Sequence, residues 1–373
     1  MDDIHCICCN NIMEHFLILS ETNSINVCDN CFHLQKSEML IDDCIKLPHY
    51  NETMFMKFIL KSIDNLKSDQ KIRILDINNN DTNLLDTLFT NIMNFTRIPK
   101  TYIKTVSLSL NFRPSYFSKH KCYRDVLSEK TIKNLKSNYN SFDIIILNTT
   151  LLTCKDANKI LTMCKELCNL NTDVFVINYH SMDPIDYLII DKTVKNLFTT
   201  NSLKRLCTNN GFELDDIDVN NNYVFYKMIL DKNGIISPNI VSTLYDEMNI
   251  GIYRIDKYHN INRNWYNKLF ETNKLFDRYK INKYEFVYIS QCKCCIGDNF
   301  LLNNNKINYK IDDLTKINNI LKNDNKYVFI IFNLNNQIVN DLQDNLKKDL
   351  KDTSLIYDMK NLITHPVNYA IKN

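Results

Sequence analysis

The sequence predicts an α/β protein whose amino-terminal lobe is clipped by a metal ion. Short Ile- and Val-rich runs alternate with helix-length amphipathic stretches, which is the pattern of βαβ units around a parallel sheet. Two Cys-x-x-Cys pairs stand ahead of that pattern. The chain has 14 cysteines and no cleavable apolar leader behind Met1, so a reducing, cytoplasmic compartment is expected, where thiols stay free or hold metal.

Composition narrows the partners. At 373 residues the chain has room for two or three domains of roughly 150 residues each. With 45% hydrophobic and 24% charged residues it is a folding chain and not a disordered tail, a collagen or a disulfide miniprotein. Lys and Arg total 45 against 43 Asp and Glu, a formal charge of +2, too weak a field to hold polyanions. Nucleic acid is therefore not an expected partner. No apolar run approaches the roughly 20 residues of a membrane span, so no membrane is expected either. Only 4 Gly and 6 Pro occur, while Asn, Ile and Lys abound. An A/T-rich coding bias explains this, and it predicts glycine motifs in worn form, with Asn in their place. Such a genome points to a large DNA virus or a similarly biased microbe, hence to host cytoplasm or virion.

The elements follow in order. Cys6 and Cys9 form one pair, Cys28 and Cys31 the second, at the separation that lets four thiolates close tetrahedrally on one zinc. Cys8, His5 or His33 could replace one ligand, and each choice leaves a closed, structural site. A helix is expected from Met54 to Leu66, then a strand over Lys71–Ile77 ended by the polar turn 78–81, then a helix from Leu84 to Met93. Strands are expected over Thr105–Leu110, Phe142–Leu147 and Asp173–Ile177, with a helix over Asp156–Leu170 between the last two. Continuous apolar runs mark strands covered on both faces. Ligands of such sheets bind beyond the carboxyl ends of the strands, which gathers Asp76–Asp81, Asn148–Thr150 and Asn178–His180 around one crevice.

These residues resemble a family. The string Cys31-Phe32-His33-Leu34-Gln35 behind the second pair, and Asp76-Ile77-Asn78-Asn79-Asn80-Asp81-Thr82-Asn83-Leu84-Leu85, are similar to C-G-L-V-Q and E-I-G-S-N-D-G-T-L-L of the zinc-containing S-adenosylmethionine-dependent sugar C-methyltransferases. Asn196-Leu197-Phe198-Thr199-Thr200-Asn201-Ser202-Leu203-Lys204-Arg205-Leu206, followed by Asn210-Gly211-Phe212-Glu213-Leu214, resembles their S-Y-F-S-x-x-S-L-K-R-L and N-G-L-E-L. Tyr288 to Leu302, Ile311-Asp312-Asp313 and Tyr327 to Asn333 extend the likeness to the carboxy-terminal third.

The resemblance implies a zinc-binding lobe at 1–50, a Rossmann-like methyltransferase domain at 51–230 and a second α/β, nucleotide-binding-like domain at 231–373. It implies zinc on Cys6, Cys9, Cys28 and Cys31, and S-adenosylmethionine on Asp76, Asn78, Asn80 and Asp81, with Asn148 in the same crevice. Asp76 and Asp81 read equally as caps of a strand-to-helix turn. The family's catalytic Y-H-E-H is replaced here by Asp191-Lys192-Thr193-Val194. Tyr179 and His180, at a strand end on the crevice side, are the surviving acid–base candidates. Two functions follow from this. One is a methyltransferase acting on a nucleotide-linked deoxysugar. The other is an inactive descendant that serves as a zinc-stabilised structural or protein-interaction module. Three close thiols at Cys292, Cys294 and Cys295 read as small residues filling a former glycine turn, and Phe270–Tyr284 as a solvated helix entering the last domain.

Overall fold

The computed structural model describes residues 4–18, 24–37, 52–63, 71–77, 83–95, 98–110, 120–179, 194–220, 223–230, 236–281, 283–290, 309–311, 326–332 and 355–358. The amino-terminal lobe holds three short strands, β1 (Glu14–Ile18), β2 (Ser24–Val27) and β3 (Leu34–Lys36). Next come helix α1 (Glu52–Ile63), strand β4 (Ile72–Ile77), helix α2 (Asn83–Phe95), strands β5 (Ile103–Leu108) and β6 (Lys121–Tyr123), and helix α3 (Glu129–Tyr139). Strand β7 (Phe142–Asn148), helices α4 (Thr150–Thr153) and α5 (Ala157–Lys165), strand β8 (Cys168–Tyr179), the two-residue β9 (Asn196–Leu197) and helix α6 (Thr200–Asn209) follow. The hairpin β10 (Phe212–Asn220) and β11 (Tyr223–Leu230) leads to helices α7 (Pro238–Asn249) and α8 (Ile255–Ile281). The last strands are β12 (Tyr284–Ser290), β13 (Tyr309–Ile311), β14 (Lys326–Phe332) and β15 (Leu355–Asp358).

The central sheet has the order β10-β11-β8-β7-β4-β5-β6. From β8 to β6 every neighbouring pair is parallel. The sheet as a whole is not purely parallel, because β11 runs against both β8 and β10. A tight hairpin forces that reversal, whereas each parallel step needs a crossover connection. The chain winds outward from β4 through β5 to β6, then returns to the other side of β4 for β7 and β8. That reversal makes a topological switch point between β4 and β7. The arrangement is that of a Rossmann-like α/β sheet with an antiparallel edge.

Both faces of the sheet are covered. Ile74, Ile144, Ile146 and Phe175 pack on the α1–α2 side with Phe55, Phe58, Leu84 and Leu88. Their alternates Leu75, Ile145, Val174 and Val176 pack on the other side with Ile132, Leu161 and Leu206. This period of two on strands buried from both sides is why the sequence shows unbroken apolar runs. Each such side chain contributes about 1.5–3 kcal/mol by leaving water.

Several boundaries differ from the sequence expectation: the helix expected over Phe270–Tyr284 spans Ile255–Ile281, and the strand expected over Asp173–Ile177 spans Cys168–Tyr179. The helix expected over Asp156–Leu170 stops at Lys165, and Cys168 already pairs with Phe142. Thr172 Oγ1 donates to the Phe142 carbonyl at 2.6 Å and accepts from the Asn169 amide at 2.7 Å. These polar side chains offer the backbone partners that a helix would forgo. The strand expected at Thr105–Leu110 starts two residues earlier and ends at Leu108. The lobe strands carry no comparably long apolar run; neither they nor the hairpin β10–β11 were expected.

The lobe is welded to the central domain. Its sheet runs β1-β2-β3-β9, so residues 196–197, far along the chain, close its edge by antiparallel pairing with Leu34 and Gln35. Asn158 Nδ2 donates to the Ile7 carbonyl at 2.7 Å, and the Lys36 amide to the Lys195 carbonyl at 2.9 Å. Buried lobe residues and one side of the central domain form one continuous core. In the carboxy-terminal third, β13-β12-β14-β15 is a wholly parallel four-stranded sheet reached through the long helix α8. Cys292, Cys294 and Cys295 lie outside the described residues.

Candidate metal centre and cofactor crevice

The two cysteine pairs fold into the same turn. The Asn10 amide donates to the Cys6 carbonyl and the Phe32 amide to the Cys28 carbonyl, each at 2.8 Å. The residue after each second cysteine is left-handed, with φ 62° at Asn10 and 61° at Phe32. This geometry points both thiols of a pair to one side. The four sulfurs meet, with Cys6–Cys31 at 3.5 Å, Cys9–Cys28 at 3.4 Å and Cys9–Cys31 at 3.6 Å, all within 4.8 Å of one another. Zinc–sulfur bonds of about 2.3 Å in a tetrahedron imply sulfurs about 3.8 Å apart, so the donor set fits zinc.

Cys6, Cys28 and Cys31 are buried and Cys9 partly so, which leaves a closed coordination sphere of the structural kind. Hydrogen bonds from Cys28 and then Cys31 hold Cys6 well below the usual thiol range, whereas its hydrogen bonds with Cys28 and Cys6 push Cys31 far up. None of the alternatives joins the four converging ligand atoms, although the Cys8 amide donates to Cys6 Sγ at 3.4 Å. Cys8 is buried, and desolvation raises its thiol well above the ordinary value. His5 donates through Nδ1 to the Asn10 carbonyl at 3.0 Å. His33 is buried with its ring 4.7 Å from that of Phe198, and burial pushes its pKa down to about 4, so it is a neutral core group.

The second candidate lies at the carboxyl edge of the central sheet, around the switch point. Asp76 pairs in register with Ser107 on β5 and Ile146 on β7. Asp76, Ser107, Asn148, Thr149, Asn178 and Tyr179 are all buried, at 0–1% exposure. Six polar side chains buried at the carboxyl ends of four neighbouring strands demand partners. Thr150 Oγ1 donates to the Ile77 carbonyl at 3.4 Å, and Asn178 Nδ2 to the Phe198 carbonyl at 2.6 Å. Ser107 Oγ and Thr149 Oγ1 have no partner among the described residues. Two buried hydroxyls at the strand ends where ligands bind suit the hydroxyl and amino-acid groups of an adenosyl cofactor. Asn148 takes φ 46°, the left-handed backbone that Asn tolerates better than most residues.

Of the expected cofactor residues, the structure thus brings Asp76 and Asn148 to one edge. Asn78, Asn80 and Asp81 lie outside the described residues, as does His180. Tyr179 is fully buried, its ring 5.4 Å from that of Tyr223.

Sequence reasoning missed a buried acid. Glu247 on α7 is 3% exposed. It accepts the Thr200 amide at 3.0 and 3.1 Å, the Thr200 hydroxyl at 3.0 Å and the Tyr253 hydroxyl. Thr200 Oγ1 also lies 3.2 Å from the Tyr226 hydroxyl. The carboxylate sits on the first turn of α6, where the helix dipole favours it. In the sequence it reads as one of two adjacent acids on an amphipathic helix, and nothing there distinguishes it from a solvated charge. A second unread line runs from Asp86 Oδ1 to His120 Nε2 at 3.0 Å and from His120 Nδ1 to the Thr105 hydroxyl, tying α2 to β5. Thr105 is buried in mid-strand, so the line is a latch between elements.

No protein-family model matches the sequence, and no curated protein sequence matches it. Solved structures do align. The methyltransferase CalO1 of calicheamicin biosynthesis, in its SAH-bound form, aligns at 14% identity with a TM-score of 0.35, covering 48% of this chain and 54% of that one. The CurJ carbon methyltransferase aligns at 12% identity with a TM-score of 0.35, again over 48% and 54%. The O-methyltransferase NcsB1 from neocarzinostatin biosynthesis, in complex with S-adenosylmethionine and 2-hydroxy-5-methyl naphthoic acid, aligns at 12% identity and 0.30, over 48% and 56%. The chain spans about half the length of the solved structures it matches.

Proposed function

We propose that this chain is an S-adenosylmethionine-dependent methyltransferase that acts on a small molecule, a nucleotide-linked sugar, and that carries a structural zinc in its amino-terminal lobe. The observation that supports it most is the ring of buried polar side chains around the switch point of a Rossmann-like sheet, with the hydroxyls of Ser107 and Thr149 unpartnered among the described residues. In this reading Asp76 and Asn148, with Asn78, Asn80 and Asp81 next in the sequence after β4, hold the cofactor. The cofactor supplies a methyl group activated on a sulfonium. The chain supplies orientation and a dry pocket, because the strand ends beneath it are fully buried. His180 takes the proton from the acceptor. Tyr179, buried against Tyr223, positions the end of β8 and does not itself meet substrate. Zinc on the four thiolates fixes the lobe and leaves no position open for a reactant. The nucleotide-sugar acceptor rests on the sequence resemblance alone.

Calorimetric titration with S-adenosylmethionine tests this function. Saturable binding is expected, weakened at least tenfold, about 1.4 kcal/mol, by Asp76→Ala. No heat at millimolar cofactor would end it.

A further inference from the structure

A hollow of about 460 Å³ opens between the thiol lobe and helix α6, within the range of about 300–1,000 Å³ of small-molecule sites. Its floor is one face of the helix. Asn201, Lys204, Arg205 and Thr208 stand at positions i, i+3, i+4 and i+7, so they share a side. The opposite side, with Leu203, Leu206 and Cys207, is buried in the core. Asn30, Cys8 and Cys9 of the two knuckles close the hollow from above.

Three properties set this hollow apart from an ordinary solvated helix face. None of its lining residues is acidic. The side chains of Lys204 and Arg205 have no hydrogen bond or ion pair among the described residues, although both are half-buried. The walls are fixed independently of any ligand. Asn209 Nδ2 donates to the Cys8 carbonyl at 2.8 Å, and Thr199 Oγ1, which caps α6, donates to the Cys31 carbonyl at 3.1 Å. Two unpaired cations beside carboxamide and hydroxyl donors, on walls that need no rearrangement, form an anion receptor. A guanidinium matches phosphate oxygens in a two-pronged fashion, and an ammonium adds a point charge next to it.

We infer that this hollow binds the phosphate or diphosphate group of a small molecule, with Arg205 and Lys204 as its two cationic contacts and the metal-clipped lobe as its rigid roof. The site is separate from the crevice at the carboxyl edge of the sheet and does not depend on it. The competing role for the two cations is to balance the charge of a zinc tetrathiolate, which carries net −2, across the same hollow.

Titration of the metal-loaded protein with inorganic pyrophosphate at low salt, followed by calorimetry, separates the two roles. Saturable binding at submillimolar ligand is expected. It should fall roughly tenfold or more in Lys204→Ala/Arg205→Ala, and weaken with added salt. A control that removes two exposed cations of α3, Lys130→Ala/Lys133→Ala, should leave it unchanged. Zinc content, measured on the same samples, should stay at one equivalent in every variant. The assignment is overturned if pyrophosphate shows no saturation at about 10 mM, if the control weakens binding as much as the α6 variant, or if the α6 variant sheds its metal. Loss of metal would assign the cations to the thiolates.

Discussion

The thiol lobe and the carboxyl-edge crevice have met the same compositional pressure with different results. In the lobe all four expected ligands stand at their expected positions and converge within 4.8 Å. After β4 the sequence reads Asn78-Asn79-Asn80-Asp81 where the resembling family has G-S-N-D. Only one side-chain type offers a sulfur that closes a tetrathiolate, so coding bias cannot replace a cysteine without losing the site. A glycine in a turn supplies backbone freedom, and Asn supplies part of that freedom with A/T-rich codons. Among the described residues Asn10, Asn140 and Asn148 adopt positive φ, beside Phe32, Lys283, Gly211 and Gly251. Asparagine has become the turn residue of this protein.

The sharpest way to break the contrast is to remove what the lobe could not lose. Cys28→Ser is expected to drop zinc below one equivalent and to melt residues 4–37, read by metal analysis and by amide hydrogen exchange. The effect should be the largest of any single change, since structural zinc supplies about 10–16 kcal/mol in small zinc peptides. Full zinc retention would separate the four thiols from the metal. Because β9 completes the lobe sheet, exchange should also rise at Asn196 and Leu197 and remain slow at Ile144–Ile146 in the core.

The joint between the regions comes next. Glu247 satisfies the amide and hydroxyl of Thr200 at the start of the helix that floors the lobe. Glu247→Ala leaves the Thr200 amide buried without this acceptor, and a loss of about 2–3 kcal/mol in urea unfolding is expected. Glu247→Gln keeps one acceptor and should lose less. Equal losses for the two would show that packing and not hydrogen bonding holds α7 in place.

A smaller effect, of opposite sign on two readouts, tests the crevice. An unpartnered buried hydroxyl destabilises the free protein, so Thr149→Val should raise stability by about 1 kcal/mol while weakening S-adenosylmethionine roughly tenfold. If Thr149→Val lowers stability, the hydroxyl serves the fold, and the case for a ligand there loses half its support.

These regions also differed in how far the sequence could be read. The four converging thiols were legible because two Cys-x-x-Cys pairs at that separation are the spacing of a tetrathiolate clip. The parallel strands were legible because burial on both faces leaves an unbroken apolar signature, as at Ile144–Leu147. Strand β9 was not legible, because two residues that finish a distant sheet have no periodicity of their own. Glu247 was hidden for a related reason: its burial is imposed by Tyr253 and Thr200, which approach it only in the folded chain. The antiparallel β11 escaped because its side chains look the same whichever way the strand runs.

The two knuckles give the smallest and most discriminating test, since they share a backbone turn and carry different side chains at its left-handed position. Both Asn10 and Phe32 hold left-handed φ, where glycine is free of strain. Asn10 is exposed, so Asn10→Gly should change the stability of the metal-loaded protein by only a few tenths of a kcal/mol, read as a rise in Tm. At Phe32 the relief is larger, about 1–2 kcal/mol for a bulky residue leaving the left-handed region. Its ring, however, lies 5.6 Å from that of Tyr253 and 6.2 Å from that of Tyr258, and joins the second knuckle to the segment that carries Glu247. Removing a packed phenyl costs about 3–5 kcal/mol when fully buried and less at this half-buried position, so the two terms nearly meet, with packing ahead. Phe32→Gly is therefore expected to lower Tm modestly where Asn10→Gly raises it. If both raise it, the aromatic contact contributes nothing, and Phe32 stands at its position only because glycine codons are scarce in this chain.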